Sequence, residues 1–391
     1  MRLTFLLILV LSTITCGQER NGIFEIDPKV FVENKITLSE IADDIIYVPL
    51  DNSLPIGITY KLKITHDYIY ISTKDIGIVK FDRSGKLVRK IGNRGSGPGE
   101  YHYGMDFATD DKTGNIFVMD PGKIKVYSPS GIFLRDLLVK EYLNYMGDDI
   151  EIYNSFLFIP DYLRLGDSKN IWIFLDTLGN LVSKKENSVP PFNADIGGGN
   201  IYQYANTLFY YNWINDTIFS ISPDLSSKEA YLFAQGDHRW PTTRVDISSW
   251  SSLSKLFKPG TMFETKKFIL LLYSYLDKYA ICLIDKKTKK TFLAYKYYKE
   301  APEGTVKYRP YLTNDLDGGM PLTESIHYYV EKDKEYITQL INTLDLKQYI
   351  SSDEFKNNSA KYLEKKKEIE TLANRLKETD NPVLMIVKLK E

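Results

Sequence analysis

"VKFDRSGKLVRKI", residues 79 to 91, reads as two alternating strands joined by a short turn ending in glycine. The same figure returns as "KVYSPSGIFLRDL" at 125–137 and as "IFLDTLGNLVS" at 173–183. Gly85, Gly131 and Gly179 hold the same place in the three turns, 46 and then 48 residues apart. Glycine there fits a hairpin that needs positive φ. Ahead of the first two copies stand further strand patterns, "DYIYIST" (67–73) and "GNIFVMD" (114–120), 47 residues apart. Hairpins returning at this period fit the four-stranded blade of a β-propeller.

Weaker copies follow at 206–225, "NTLFYYNWINDTIFSISPDL", and at 268–296, "FILLLYSYLDKYAICLIDKKTKKTFLAYK". The period drifts there, so insertions are present, and dividing chain length by period does not count the blades. In "DKEYITQLINTLDL" Ile337, Leu340, Ile341 and Leu344 follow one helical stripe. In 351–380 Ser351 and Glu354 are spaced like a capping box, and Phe355, Tyr362, Ile369, Leu372 and Leu376 mark a narrow apolar face. Both segments are expected to form a helical insertion, about 332–379, packed against the last blade. The run "EKKKE" is its solvated side. After Pro382, "VLMIVKLK" returns to a strand at 383–390. A ring of blades must close to hide its open edges, and "DIIYVPL" (44–50) is the expected partner of this last strand.

The glycine-rich stretch "GNRGSGPGEY" (92–101) invites a phosphate-loop reading, which its residues refuse. It lacks the Gly-Lys-Ser/Thr of a P-loop, and Glu100 stands where a dinucleotide fingerprint needs its third glycine. The residues "EYHYGMDFATDD" (100–111) carry no helix pattern, as a fingerprint would require. The stretch is a connector from one blade to the next.

Composition supports a β-rich chain of 391 residues, with 29 Tyr and 19 Phe. Lys plus Arg (50) nearly cancels Asp plus Glu (51), so no basic excess points to nucleic acid. "MRLTFLLILVLSTITC" has a short basic start and an apolar core too short to span a bilayer, the pattern of a signal peptide over 1–15. Cys16 at its end resembles the lipidated cysteine of a bacterial lipobox, with Thr13, Ile14 and Thr15 departing from the usual pattern. The alternative is an ordinary secretory signal cleaved nearby. Residues 16–35 then read as a tether. Cys282, in "YAICLID", reads as a small buried hydrophobe, so packing rather than a disulfide must hold the fold.

Residues 92–137, with their connector, "IFVMD" strand and "KIKVYSPSG" hairpin, resemble NHL-type propeller repeats. More closely, "ITLSEIADDIIYVPLD" at the start and "NPVLMIVKLK" at the end look like the six-bladed β-propeller lipoproteins of Bacteroidetes. The resemblance covers about 36–391 and implies an all-β, six-bladed β-propeller with a C-terminal helical insertion. It also implies a lipid-anchored cell-envelope protein. Gly17 after Cys16 is not the aspartate of inner-membrane retention, which points to the outer membrane, and Gly17, Gln18, Glu19 and Arg20 do not fix a periplasmic or a surface face. Members of that family offer little about chemistry.

The four histidines, His66, His102, His238 and His327, form no local metal motif. His102 is flanked by Tyr101 and Tyr103, which suits either a ligand site at the channel mouth or aromatic packing between blades. In "HRWPTTR" (238–244), His238, Arg239, Trp240 and Arg244 suit stacking on a sugar or clamping a carboxylate, or simply a loop folded over the ring. Asp110 and Asp111 lack the rest of a calcium loop and fit turn chemistry. No nucleophile motif stands out, and no catalytic residue, metal or cofactor is assigned. The expected function is a non-catalytic binding or interaction module for a glycan, a peptide or another envelope protein. The alternative is a lactonase-like propeller enzyme with a metal in its channel. Three or more converging His, Asp, Glu or Asn side chains in the channel would favour that enzyme.

Overall fold

Gly85, Gly131 and Gly179 adopt φ of +86°, +76° and +94°. Ahead of two of them an aspartate ties the turn to itself, as such turns require. Asp82 Oδ1 accepts from the N–H groups of Ser84 and Lys86 at 2.9 and 3.1 Å. Asp176 Oδ1 accepts from those of Leu178 and Asn180, both at 2.9 Å. In the computed structural model, which describes residues 19–142, 149–162, 168–188, 198–240, 255–299 and 307–391, these hairpins are the outer halves of antiparallel blades.

The described residues form six sheets arranged as a six-bladed β-propeller. Blades 1 to 5 occupy 59–91, 107–138, 151–186, 199–233 and 258–310 in chain order. Blade 6 is assembled from both ends of the ring: His327–Glu331, Lys334–Ile341, Val383–Leu389 and, outermost, Ala42–Pro49. Ile386 faces Ile46 and Leu384 faces Val48 across that last pairing, the closure expected from the two terminal segments.

Each strand between two blades serves both gaps, because successive side chains point to opposite faces. On Tyr68–Thr73, Ile69 and Ile71 pack with Leu384 and Ile386 of blade 6. Tyr70, between them, packs with Phe107 and Val118 of blade 2. Phe117 and Met119 meet Leu157 and Ile159 in the next gap. Phe158 and Trp172 meet Leu208 and Tyr210 in the one after. The largest cluster runs through blades 4, 5 and 6 into the C-terminal helices and contains Cys282.

Three expectations need correction. The segment carrying Ile337, Leu340 and Ile341 is not helical: Lys334–Ile341 is a strand between His327–Glu331 and Val383–Leu389. Its apolar residues fall in pairs four apart, Tyr336 with Ile337 and Leu340 with Ile341. Polar Glu335, Thr338 and Gln339 are buried too, so alternation is lost and the spacing imitates a helix. The helical insertion is therefore shorter, made of Thr343–Ser351, Asp353–Asn357 and Leu363–Arg375. Its second helix is capped by Ser352, whose side chain accepts from Phe355 N–H, while Ser351 Oγ donates back to the Lys347 carbonyl. Phe355 and Ile369 are buried, and Tyr362, Leu372 and Leu376 pack against the core, as the apolar face implied.

Residues 19–35, read as a tether, are built into the ring. Ile23–Ile26 adds a parallel strand to the outer edge of blade 4, pairing Glu25 with Leu232 and Ile26 with Phe233. Phe24 and Ile26 bury there, and Phe31 sets its ring against Tyr273 of blade 5 at 5.2 Å. The signal peptide and Cys16 lie outside the described residues. Among the described residues no helix is long and apolar enough to cross a membrane.

Candidate functional site: the central channel

The connector residues serve structure first. Tyr101 is fully buried; its hydroxyl donates to the Ile91 carbonyl at 2.8 Å and accepts from Ile78 N–H at 3.0 Å. A Cβ at Gly77 or Gly104 would stand 2.3 or 2.4 Å from this side chain, so both glycines make room for it. Tyr101 thus locks blade 1 to blade 2. The glycine loop spends its own amide on Glu100, whose Oε2 accepts from Gly97 N–H at 2.9 Å. Tyr101→Phe leaves a buried N–H and a carbonyl without this partner. It should lower unfolding free energy by about 2 kcal/mol in urea titrations with an unchanged slope. A loss below about 0.5 kcal/mol would overturn the lock.

His102 keeps half its side chain in solvent, and its Nδ1 lies 3.1 Å from Oδ2 of the buried Asp120. Tyr103 beside it is exposed. On the far side of the ring His238, Arg239 and Trp240 are all buried. Burial holds the His238 imidazole below its usual pKa. Arg239 Nε donates to Asp216 at 3.0 Å, and the Trp240 ring lies tilted against Trp213 at 5.3 Å. Arg244 lies outside the described residues. The structure brings neither group to the other, and neither lines the central channel.

That channel holds about 970 Å³ and takes lining residues from the inner strand of every blade. Its charged side begins on Thr59–Ile64, the inner strand of blade 1. Alternation aims Lys61 and Lys63 to one face, and each reaches across to blade 3. Lys61 Nζ lies 2.5 Å from Asp149 Oδ1 and 3.1 Å from Asp106 Oδ1, and donates to the Ile150 carbonyl at 2.9 Å. One rung along, Lys63 Nζ meets Glu151 Oε1 at 2.6 Å.

Two carboxylates therefore share one ammonium. Burial, reinforced by Asp149, raises Asp106 to about 7 despite Lys61. Burial alone would lower Lys61, but Asp149, Asp106 and Glu151 outweigh it and hold the ammonium charged. His327, on the inner strand of blade 6, is lowered to about 4 by burial and by Lys61, so its ring is neutral at neutral pH. Burial also raises Asp111. Carboxylates and lysine ammoniums thus stand side by side on the channel wall. Among the described residues no three His, Cys, Asp or Glu side chains are placed to hold one metal ion.

The family pattern of a domain of unknown function, DUF4934, matches residues 23–388. The chain belongs to the DUF4934 family. The match starts at the strand added to blade 4 and ends in the strand that closes blade 6. No curated protein matches this DUF4934 chain. Among solved structures it is similar to a protein named as exported from Bacteroides fragilis NCTC 9343. The two are 18% identical, with 92% of this chain and 98% of that one covered and a TM-score of 0.65. A protein of unknown function from Bacteroides thetaiotaomicron VPI-5482 covers 91% of this chain and is itself covered over 75%, at 10% identity and a TM-score of 0.44.

Lys61, Asp106, Asp149 and Glu151 escaped sequence reasoning, and His327 carried no assigned role. A signal was present: "YKLKI" (60–64) and "DIEIY" (149–153) alternate charge with apolar residues on the first strand of a blade. In a propeller that strand lines the axis, so its polar face is channel lining rather than solvent-facing surface.

Proposed function

We propose that this DUF4934 protein is an exported, lipid-anchored, non-catalytic binding module that takes a glycan or peptide segment into its central channel. The observation that carries this is the channel itself, about 970 Å³ and lined from all six inner strands. Pockets of that size suit a ligand of several residues or sugar units. The Lys61 and Lys63 bridges hold its charged wall in one arrangement before a ligand arrives. Export and an outer-membrane anchor at Cys16 are supported by the signal-like start of the chain and by the exported Bacteroides protein of like fold.

The test is thermal unfolding of the purified protein against a panel of oligosaccharides and peptides, with Gln203→Trp as a channel-filling control. Gln203 lines the channel and is exposed within it. A ligand at a hundred times its Kd adds about 2.7 kcal/mol, a rise of about 3 °C for a chain of this length. The rise should vanish in Gln203→Trp. A rise that survives the substitution, or silence across the panel, would overturn channel binding. Stabilisation by calcium or zinc, reversed by a chelator, would favour the metal-dependent enzyme instead.

A further inference from the structure

We infer that the channel selects ligands bearing a protonated primary amine, seated against Asp106 and Asp149; this rests on the channel-binding reading above. The first observation is a charge imbalance at depth. Asp106 and Asp149 both contact Lys61, while the Lys63 ammonium is taken by Glu151. Asp111 adds a fourth carboxylate to the same wall and feels both Lys63 and Glu151. Lys112, at the wall's edge, turns its ammonium to Ser155 Oγ at 2.7 Å. His327, facing Lys61 from blade 6, contributes no positive charge at neutral pH. Of the six carboxylates on the channel, Asp110 is taken up in its own turn by Lys112 N–H and Thr113 Oγ1, and Glu324 lies 3.9 Å from Arg309. The remaining four face two ammoniums, and a partly desolvated surplus anion favours a further cation.

The second observation is independent of charge. Thr109 and Thr338 both line the cavity with 6% and 0% of their surface exposed. Neither hydroxyl makes a hydrogen bond among the described residues. Buried hydroxyls are ordinarily satisfied, so two unsatisfied ones on the wall of one cavity leave acceptors that a donor entering the cavity would satisfy. Thr338 stands opposite His327 in the strand register. An alkylammonium has three N–H donors. The carboxylates and the hydroxyl oxygens are acceptors, whereas an anionic ligand would meet like charge.

In the free protein the surplus is relieved by a proton on Asp106, whose raised affinity for it comes from burial and from Asp149. An arriving ammonium displaces that proton. Binding near pH 6.5 therefore releases a proton to the buffer, and affinity rises with pH as Asp106 ionises, until the ligand amine itself deprotonates.

Two sources can present this group, an amino sugar or a lysine-containing peptide. Isothermal titration at pH 6.5 and 8, in 150 mM salt and in two buffers of different ionisation heat, would use four probes. These are a glucosamine trimer, its N-acetylated form, trilysine, and its Nε-acetylated form. At least one amine probe should bind, its acetylated form at least tenfold more weakly, with buffer-dependent heat at pH 6.5. Asp106→Asn should weaken that probe at least tenfold and remove the buffer dependence, and Thr338→Val should weaken it several-fold. Whichever trimer binds identifies the source. Equal binding of an acetylated probe, lost in Gln203→Trp, would leave channel binding standing and overturn amine selection. Amine binding that persists in Gln203→Trp, or no binding by either amine, would also overturn it.

Discussion

Removing residues 383–391 should leave a chain with no cooperative unfolding transition and no near-ultraviolet circular dichroism. The strand Val383–Leu389 is the third of blade 6, bonded on one side to Lys334–Ile341 and on the other to Ala42–Pro49. Val383, Leu384, Met385, Ile386 and Val387 are all buried. At about 2 kcal/mol each they carry about 10 kcal/mol, comparable to the whole net stability of a folded protein. Their loss also strands Ala42–Pro49, which has no other strand neighbour among the described residues, and opens the ring between blades 6 and 1. Exposed strand edges then favour association over refolding. A truncated chain that melts in a single sharp transition would show that blade 6 is dispensable.

Lys61→Met should cost about 3 kcal/mol at pH 8 and much less near pH 4. Removing one partner of a buried ion pair leaves the other charge uncompensated, at about 3–5 kcal/mol. The side chains of Lys61, Asp149 and Asp106 keep 16%, 23% and 27% exposure, which places the cost at the lower end. The sign of the pH dependence is set by Asp106. Its folded pKa already lies above the usual carboxylate value, and loss of the ammonium raises it further. A carboxyl raised in the folded state weakens stability once pH exceeds its unfolded pKa. That penalty grows until pH passes the folded pKa, and it vanishes when both states are protonated. Urea titrations of variant and parent at pH 8, 6 and 4 would measure the difference, and adding Asp149→Asn should recover most of it. A deficit that does not change with pH would mean that Lys61 acts through its packed stem instead.

The blades were legible because local chemistry repeats: a turn aspartate and a glycine recur with strands on either side, and Gly85, Gly131 and Gly179 keep step. Closure was legible for a related reason, since an apolar strand at each end of a ring has only the other to pair with. Legibility failed where burial is symmetric. Residues 334–341 bury both faces, with polar Glu335, Thr338 and Gln339 among the buried ones, and their apolar pairs four apart read like a helical stripe. It failed again at residues 19–35, whose few apolar residues bury only because blade 4 leaves an edge open to them.

For the site, the aromatic and histidine residues that looked most distinctive divide between inter-blade packing and the outer surface. Tyr101 fills a gap that glycines leave, and Arg239 is engaged with Asp216. The channel cluster joins residues as far apart in the chain as Lys61, Asp149 and His327. By itself the sequence determined the repeating blade, the strand that closes the ring and the apolar face of the C-terminal helices. Each rests on contacts between near neighbours or on a pattern that one chain segment carries alone. Only the tertiary structure decided which lysine faces which carboxylate, and so that Asp106 shares its cation and is raised above the usual carboxylate range. Electrostatic environment depends on distance and burial, and the ring sets both by bringing six separate strands to one axis.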